Sequence, residues 1–159
     1  MGSRFNLSLA YIAGFLDGDG SLMLQLKSRS DTTRGMRFMA TICLYQDTEH
    51  AQPLLWMQEI LKCGYISERS DGMAELRING FAQVRHVLTL LKPYVRFKAV
   101  QVHALMRACT LLEQKFLRDM SPTELQTLVD LMFEIKAQNY KSKNAVSKNE
   151  VLKRLGLTP

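Results

Sequence analysis

The segment YIAGFLDGDGS, residues 11–21, marks the point at which the periodicity of the chain changes. Up to Leu16 the apolar residues recur at spacings of three and four, and after the segment they alternate with polar residues. The first pattern is typical of a helix and the second of a half-buried strand. The sequence therefore predicts a helix over about residues 7–16, capped by Asn6 or Ser8, that ends at the glycines of the segment and leads into a strand.

Alternating and helical stretches follow one another in a regular order beyond this segment. The turn-like SDTTRG, residues 30–35, joins two alternating stretches, and the SDG turn, residues 70–72, joins two more. Pro53 begins a helical stretch between these hairpins, and another helical stretch covers residues 81–91. The order helix, strand, strand, helix, strand, strand, helix predicts an α+β fold with an αββαββα core over about residues 6–117.

Further helices are expected at the C-terminal side of this core. A long helical stretch begins near Lys98. Two Ser-to-Glu capping boxes, SPTE at residues 121–124 and SKNE at residues 147–150, mark the starts of two more helices. A length of 159 residues fits one domain. We therefore expect a single domain, residues 1–159, whose C-terminal helices cover about residues 121–156.

Composition limits the class of partner. With 21 basic and 15 acidic residues the chain carries a net charge of +6, which favours a polyanionic partner. A mildly basic surface that only keeps the protein in solution would give the same charge. No apolar run reaches the ~18 residues of a membrane helix, and a signal-peptide pattern is absent, so we expect an intracellular protein without a membrane partner. The three cysteines form no C-x-x-C pair, and no nucleotide-binding glycine loop occurs. We therefore expect neither a zinc site nor a small-molecule organic cofactor.

Small residues form a ridge along the first helix. Ala10, Gly14 and Gly18 are four residues apart, with Ala13 and Asp17 beside them. Such spacing lets two helix backbones approach closely. The partner helix could belong to a second subunit, related by a two-fold axis, or to an internal neighbour, and spacing alone leaves both open.

Asp19 is expected just past the end of the first helix. Unpaired carbonyl groups and the negative end of the helix dipole lie there, so a carboxylate at this point needs a cation to offset its charge. Carbonyl and carboxylate oxygens are the ligands that Mg²⁺ and Ca²⁺ prefer. An EF-hand calcium loop is excluded because Leu22 replaces its sixth-position glycine and Ser28 its twelfth-position glutamate.

The polar faces of the four strands favour a nucleic-acid partner. Arg, Lys, Gln and Glu match the base edges of a major groove, and a two-stranded ribbon fits into such a groove. A solvated sheet face would also be polar, but the excess of basic and amide side chains over carboxylates favours DNA or RNA. The candidate contacts are Gln25, Lys27, Arg29, Arg37, Thr41, Ser67, Arg69, Glu75 and Arg77.

The segment YIAGFLDGDGS resembles the signature motif of the LAGLIDADG homing endonucleases. Its single copy resembles their small homodimeric group, which intron-encoded enzymes of algal organelles typify. The segment LLKPYVRFKAVQ, residues 90–101, is similar to the one that carries the family's catalytic lysine. The resemblance covers most of the chain and implies a curved, four-stranded antiparallel sheet that binds DNA.

The resemblance also implies catalytic roles for particular residues. Asp19 and the carbonyl of Gly18 would bind Mg²⁺, with Ca²⁺ supporting DNA binding but not cleavage. Gln46 would orient the attacking water, and Lys98 would lie near the scissile phosphate. Relatives tend to carry a basic residue where this chain has His50, which we therefore expect to contact the water network around the site and not the metal ion itself.

A homodimer and its substrate follow from the same resemblance. The motif helices would pair through Ala10, Ala13, Gly14 and Asp17, so that each subunit cuts one strand of a long pseudo-palindromic DNA and leaves 3′ overhangs. The basic loop after residue 139 would contact phosphates through Lys141, Ser142 and Lys143. An intron-encoded enzyme would act in a chloroplast or mitochondrion. The alternative is a non-cleaving nucleic-acid binder on the same scaffold, such as an intron RNA-splicing maturase.

Overall fold

The computed structural model describes residues 2–32, 35–139 and 146–157. The core has the predicted order, helix, strand, strand, helix, strand, strand, helix, and further helices follow it. The elements are α1 (Gly2–Asp19), β1 (Gly20–Ser28), β2 (Met36–Asp47), α2 (Gln52–Leu61), β3 (Tyr65–Glu68), β4 (Met73–Asn79), α3 (Phe81–Leu91), α4 (Ala99–Gln114), α5 (Pro122–Gln138) and α6 (Lys148–Arg154). Short 3-10 turns cover Thr48–His50 and Leu117–Asp119.

The four strands form one antiparallel sheet in the order β1-β2-β4-β3. Gly20 of β1 pairs with Leu44 of β2, and Tyr65 of β3 pairs with Arg77 of β4. Alternate residues of a strand point to opposite faces, so one face of this sheet is apolar and the other polar, as the alternation predicts. The predicted α+β fold with a four-stranded antiparallel sheet is therefore confirmed.

The apolar face of the sheet and the helices share one core. Leu22 and Leu24 of β1 are buried, and so are Leu9, Ile12 and Leu16 of α1. Fully burying a leucine or isoleucine side chain contributes ~1.5–3 kcal/mol, so this packing fixes the position of α1 against the sheet. Within the described ranges, no helix is long and apolar enough to cross a membrane.

The first helix is longer at both ends than its sequence pattern predicts. It starts at Gly2, and Ser8 does not cap it, because its hydroxyl donates to the Arg4 carbonyl within the helix. It also continues through Gly18 to Asp19, whereas the prediction ended it near Leu16. A glycine inside a helix costs only about 1 kcal/mol relative to alanine, and the buried face of α1 offsets that cost.

Both C-terminal start signals begin helices as predicted, and the first forms the full capping box. Ser121 and Glu124 form a reciprocal capping box at the start of α5, and the Ser147 hydroxyl accepts the Glu150 amide at the start of α6. Gly156 follows α6 with a φ of 73°, a left-handed value typical of a residue that ends a helix. The C-terminal helices thus lie close to the expected boundaries.

Candidate active site and nucleic-acid interface

Helix α1 passes directly into strand β1, with no loop between them. Asp19 is the last helical residue and Gly20 the first residue of the strand. A Cβ atom at Gly20 would lie 2.8 Å from the Leu16 Cα and 2.9 Å from its carbonyl oxygen, so only glycine fits here. The chain therefore needs this glycine to bring the end of α1 to the edge of the sheet.

The Asp17 carboxylate binds the segment between α3 and α4. Its two oxygens accept the backbone N–H groups of Arg96, at 2.7 Å, and Lys98, at 3.0 Å. The Lys98 ammonium donates in turn to the backbone carbonyl of Asp17, at 2.7 Å. Three hydrogen bonds thus join Arg96 and Lys98 to the last turn of α1, although these two residues lie about eighty positions away in sequence.

This contact places a cation at the C-terminal end of a helix. Such an end carries unpaired carbonyls and a partial negative charge, and a lysine there is stabilised by both. Lys98 is half-buried, so its ammonium is less free than that of a surface lysine. The structure thereby brings Lys98 to the turn of α1 that contains Gly18 and Asp19, the two residues predicted to bind Mg²⁺.

Asp19 and Gly18 are exposed at this end of α1. The sequence pattern predicted Asp19 just past the end of the helix, but it is the last residue of the helix. Its carboxylate and nearby helix carbonyls form a hard oxygen donor set that suits Mg²⁺ or Ca²⁺. The described residues contain no group of three or more His, Cys, Asp or Glu side chains that could bind a metal ion. A divalent ion here would need further oxygen ligands beyond these, such as water.

Gln46 and His50 follow the end of the helix along the neighbouring strand. Gly20, the first residue of β1, pairs with Leu44 of β2. Gln46 lies two residues further along β2, toward the end of β1 at which α1 joins it. Its side-chain carbonyl accepts the Asp47 amide at 2.8 Å. His50 is exposed in the 3-10 turn that follows. The topology thus brings Gln46 toward the end of α1, while His50 lies further out.

Only some residues of the predicted small-residue ridge are accessible to a second chain. Gly14 and Gly18 are exposed, and a Cβ atom at either would meet nothing within 4 Å. Ala10 is half-buried. Ala13 was predicted to contact a second subunit, but it is fully buried in this chain's own core and does not face a second chain. The Asp17 side chain is also used within the chain, by the segment before α4.

Large apolar side chains border the open ridge, and the sequence patterns did not indicate them. Phe97 is 87% exposed between the two amide groups that Asp17 binds, beside the C-terminal end of α1. Tyr11 and Leu7 are exposed near its other end. The Tyr11 ring lies edge-on to Trp56 of α2, with the centroids 5.6 Å apart. Leu7 and Tyr11 lie one helical turn apart and form a small exposed apolar patch of the kind that protein–protein contacts use.

The predicted nucleic-acid contacts share one face of the sheet. In antiparallel sheets directly paired residues point to the same side. Lys27 pairs with Arg37, Gln25 with Met39, Thr41 with Asn79, and Ser67 with Glu75, while Arg77 pairs with both Cys43 and Tyr65. Arg29 and Arg69 each follow the last residue of a strand, at the turns of the two hairpins.

The side chains on this face differ in their solvent exposure and in their ion pairs. Lys27 and Arg37 are exposed and Gln25 is half-buried. Arg29 and Arg69 are exposed and form surface ion pairs with Asp31, at 3.0 Å, and Asp71, at 2.8 Å. Pairs of this kind contribute little to stability, so a stronger partner such as phosphate could replace them. Lys141, Ser142 and Lys143 lie outside the described residues.

Thr41 and Glu75 are buried on the same face. Thr41 is 1% exposed and donates its hydroxyl to the Asn79 side chain at 2.8 Å. Glu75 is 5% exposed and accepts the Arg77 Nε–H at 2.9 Å. This hydrogen bond is the main reason why the pKa of Glu75 is lowered and that of Arg77 raised. Both side chains are engaged beneath the surface and are not presented to a ligand.

Comparison with known proteins finds sequence relatives among DNA endonucleases. The DNA endonuclease I-CvuI of Chlorella vulgaris is 33% identical over 101 residues, 64% of this chain and 63% of the relative. The DNA endonuclease I-CreI of Chlamydomonas reinhardtii is 25% identical over 108 residues, 67% of this chain and 66% of that relative. The sequence alignments thus span slightly less than two thirds of these relatives.

Solved structures extend the likeness to nearly the whole fold. I-CvuI in complex with DNA superposes with a TM-score of 0.85 and 28% identity, covering 96% of this chain and 97% of the other. The archaeal intron-encoded homing endonuclease I-Vdi141I, also complexed with DNA, has a TM-score of 0.81 at 21% identity and shows the shared fold. Residues 12–102, more than half of the sequence, match the family described as LAGLIDADG endonuclease. With the motif, the fold and the match in agreement, the chain belongs to the LAGLIDADG endonuclease family.

Proposed function

We propose that this protein is a site-specific homing endonuclease, which hydrolyses both strands of a long pseudo-palindromic DNA as a homodimer with Mg²⁺ and leaves 3′ overhangs. The observation that carries the proposal is the contact between Lys98 and the end of α1, because it brings the half-buried lysine to the helix end at which Gly18 and Asp19 are exposed. A protein that only binds DNA does not need a half-buried lysine beside a metal-type donor set.

Each residue at this point has a role in the proposed reaction. Asp19 and the Gly18 carbonyl would bind Mg²⁺, which when bound supplies charge neutralisation at the scissile phosphate. Gln46 would orient the attacking water by hydrogen bonding. The Lys98 ammonium, oriented by the Asp17 carbonyl, would stabilise negative charge that develops on the phosphate oxygens. His50 would act from further out, on the water around Gln46.

The proposed dimer uses the exposed ridge of α1. Gly14 and Gly18 leave room for a second helix backbone, while Ala10 and Phe97 would extend the contact along its edges. One chain contributes one Asp19, and two strands must be cut, so a two-fold pair supplies one carboxylate for each strand. The sheets of the two chains would then bind the two halves of a pseudo-palindromic target.

DNA as the substrate is supported by charge and by the relatives. The chain carries a net charge of +6, and the basic side chains named above share one sheet face. I-CvuI has been solved with DNA in the presence of Mg, where the DNA was not cleaved, and with its target in the presence of Ca. We further propose an organellar intron as the origin of the gene, on the likeness to relatives from Chlorella vulgaris and Chlamydomonas reinhardtii.

A cleavage assay on a randomised duplex library tests the proposal. We expect cleavage of a selected target in Mg²⁺, binding without cleavage in Ca²⁺, and loss of cleavage in EDTA. Asp19→Asn should still bind the target but not cleave it. Asp119→Asn is the matched control, since Asp119 is the exposed last residue of another helical segment.

The outcomes separate the two candidate functions. Binding of a selected duplex without cleavage in Mg²⁺ would favour the alternative, a nucleic-acid binder such as a maturase. Cleavage that survives in Asp19→Asn would contradict the role proposed for this carboxylate. A chain that selects no duplex at all would contradict the proposed function and leave only a binder of another nucleic acid, such as intron RNA.

A further inference from the structure

Glu75 occupies an unusual place on the DNA-facing side of the sheet. It is an acidic residue in the inner strand β4, paired with Tyr45 of β2 on one side and Ser67 of β3 on the other. It is nevertheless 5% exposed. A carboxylate buried to this degree is costly unless hydrogen bonds and an opposite charge compensate it.

Hydrogen bonds occupy one oxygen of this carboxylate, and burial removes the other from solvent. Oε1 accepts the Arg77 Nε–H, at 2.9 Å, and the Ser67 hydroxyl, at 3.2 Å. Oε2 is shielded from solvent and has no hydrogen-bond partner among the described residues. A base in a DNA groove would therefore find no accessible acceptor on Glu75, which argues against the direct base contact that its residue type suggests.

The same contact limits how Arg77 can bind a ligand. A guanidinium has five N–H donors in one plane, and the side-on pair of Nε and Nη includes the Nε–H that Glu75 already binds. The remaining pair, the two Nη groups, lies at the outer end of the side chain. The Arg77 side chain is 29% exposed and is flanked on the same face by Cys43 and Tyr65.

A guanine base presents two acceptors, O6 and N7, in the major groove, and an arginine that donates to both recognises it specifically. We propose that Arg77 reads one guanine in each half of the target through its two Nη groups, and that Glu75 is a positioning residue that fixes the guanidinium plane without contacting a base. The inference rests on the proposed function, since it requires that this face bind DNA. It assigns different roles to two residues that the sequence presents as equivalent contacts.

A base-preference measurement tests the two roles. The probe is the selected duplex, with each position replaced in turn by all four bases and binding measured in Ca²⁺. Arg77→Ala should reduce the preference for guanine at one position per half-site by about 5- to 150-fold. Glu75→Gln should reduce it at the same position by about 5- to 20-fold, because a charge-assisted hydrogen bond no longer orients the arginine. Affinity for an unrelated duplex should change little in either variant.

The double variant of Glu75 and Arg77 distinguishes a positioning role of Glu75 from a purely structural one. Glu75→Gln combined with Arg77→Ala should show no greater loss than Arg77→Ala alone, because the positioning residue has nothing left to position. Ser67→Ala, which removes only the other hydrogen bond to Glu75, should lower the preference at that same position by a smaller factor and serves where Glu75→Gln does not fold. Glu68→Gln is the matched control, since Glu68 is the next residue of β3 and points to the opposite face.

Each contrary result has a distinct meaning. Losses at different positions for Glu75→Gln and Arg77→Ala, or additive losses in the double variant, would mean that Glu75 reads a base itself. A uniform loss at all positions would mean that Glu75 only stabilises the sheet. Either result contradicts the inference alone, whereas a wild-type chain that selects no duplex contradicts the proposed function and the inference together.

Discussion

Asp17→Asn is the substitution that separates two views of the first helix. Position on the ridge predicts that Asp17 contacts a second subunit, whereas the structure shows its carboxylate accepting the amides of Arg96 and Lys98. Asparagine has one acceptor oxygen, so the variant keeps one of these hydrogen bonds and turns an NH₂ group toward the other amide. The structural view therefore predicts a less stable single chain.

The magnitude follows from the bond that is lost. A hydrogen bond to a charged partner contributes ~1.5–3 kcal/mol, and the exposure of the Arg96 contact favours the low end, about 1.5–2 kcal/mol. For a chain of this size 1 kcal/mol lowers the melting temperature by ~2–4 °C, so we expect a decrease of about 3–8 °C. Because fewer hydrogen bonds would then hold the segment that carries Lys98 to α1, cleavage should also slow, by about tenfold for each ~1.4 kcal/mol lost at the transition state.

Thermal unfolding across a range of chain concentrations tests this reasoning. The decrease in melting temperature should persist at every concentration, and it should accompany the slower cleavage. Lys98→Met is the matched control, since it removes the ammonium but keeps both amide contacts, so it should slow cleavage with a smaller loss of stability. A variant as stable as the wild type that only dissociates more readily would refute the structural view and restore Asp17 to the subunit interface.

Three further predictions concern the ridge, the helix–strand junction and the sheet face. Phe97→Glu should yield a monomer in analytical ultracentrifugation while Phe116→Glu, at a similarly exposed phenylalanine elsewhere, leaves the dimer intact; equal effects would contradict the proposed contact. Gly20→Ala should lower the melting temperature, because its Cβ would overlap the preceding helical turn, whereas Gly14→Ala, which meets nothing within 4 Å, should leave a single chain at least as stable. The pKa of Glu75 is lowered when folded, so its contribution to stability is complete above its ordinary value of 4.5 and is lost as the pH falls through the folded-state value; Glu75→Gln should flatten that acid limb of the unfolding curve.

The order of helices and strands could be predicted because each element has one buried face. Leu22 and Leu24 alternate with polar residues, and Leu9, Ile12 and Leu16 recur at helical spacing, so the periodicity reports burial directly. Helix ends were less predictable, because residues that can cap a helix also occur inside one. Ser8 is such a residue, since its hydroxyl binds a carbonyl of its own helix.

The candidate site was predicted unevenly, because residue type does not reveal which neighbours are near in space. The motif indicated Asp19, and the resemblance indicated Lys98, yet neither could show that Asp17 links the two segments. A polar residue on a polar face is expected to be exposed, but Glu75 is buried because Arg77 is its neighbour two residues along the same strand.

The two aspartates of the motif lie on different sides of the helix, and this separates their roles. Residues two positions apart on a helix are separated by about 200° around its axis, so Asp17 and Asp19 point in nearly opposite directions. Asp17 is half-buried and turned toward the segment before α4, while Asp19 is exposed at the helix end. The first carboxylate can therefore fix the lysine to the helix while the second remains free for a metal ion. Two aspartates separated by a full turn would instead lie on the same side of the helix.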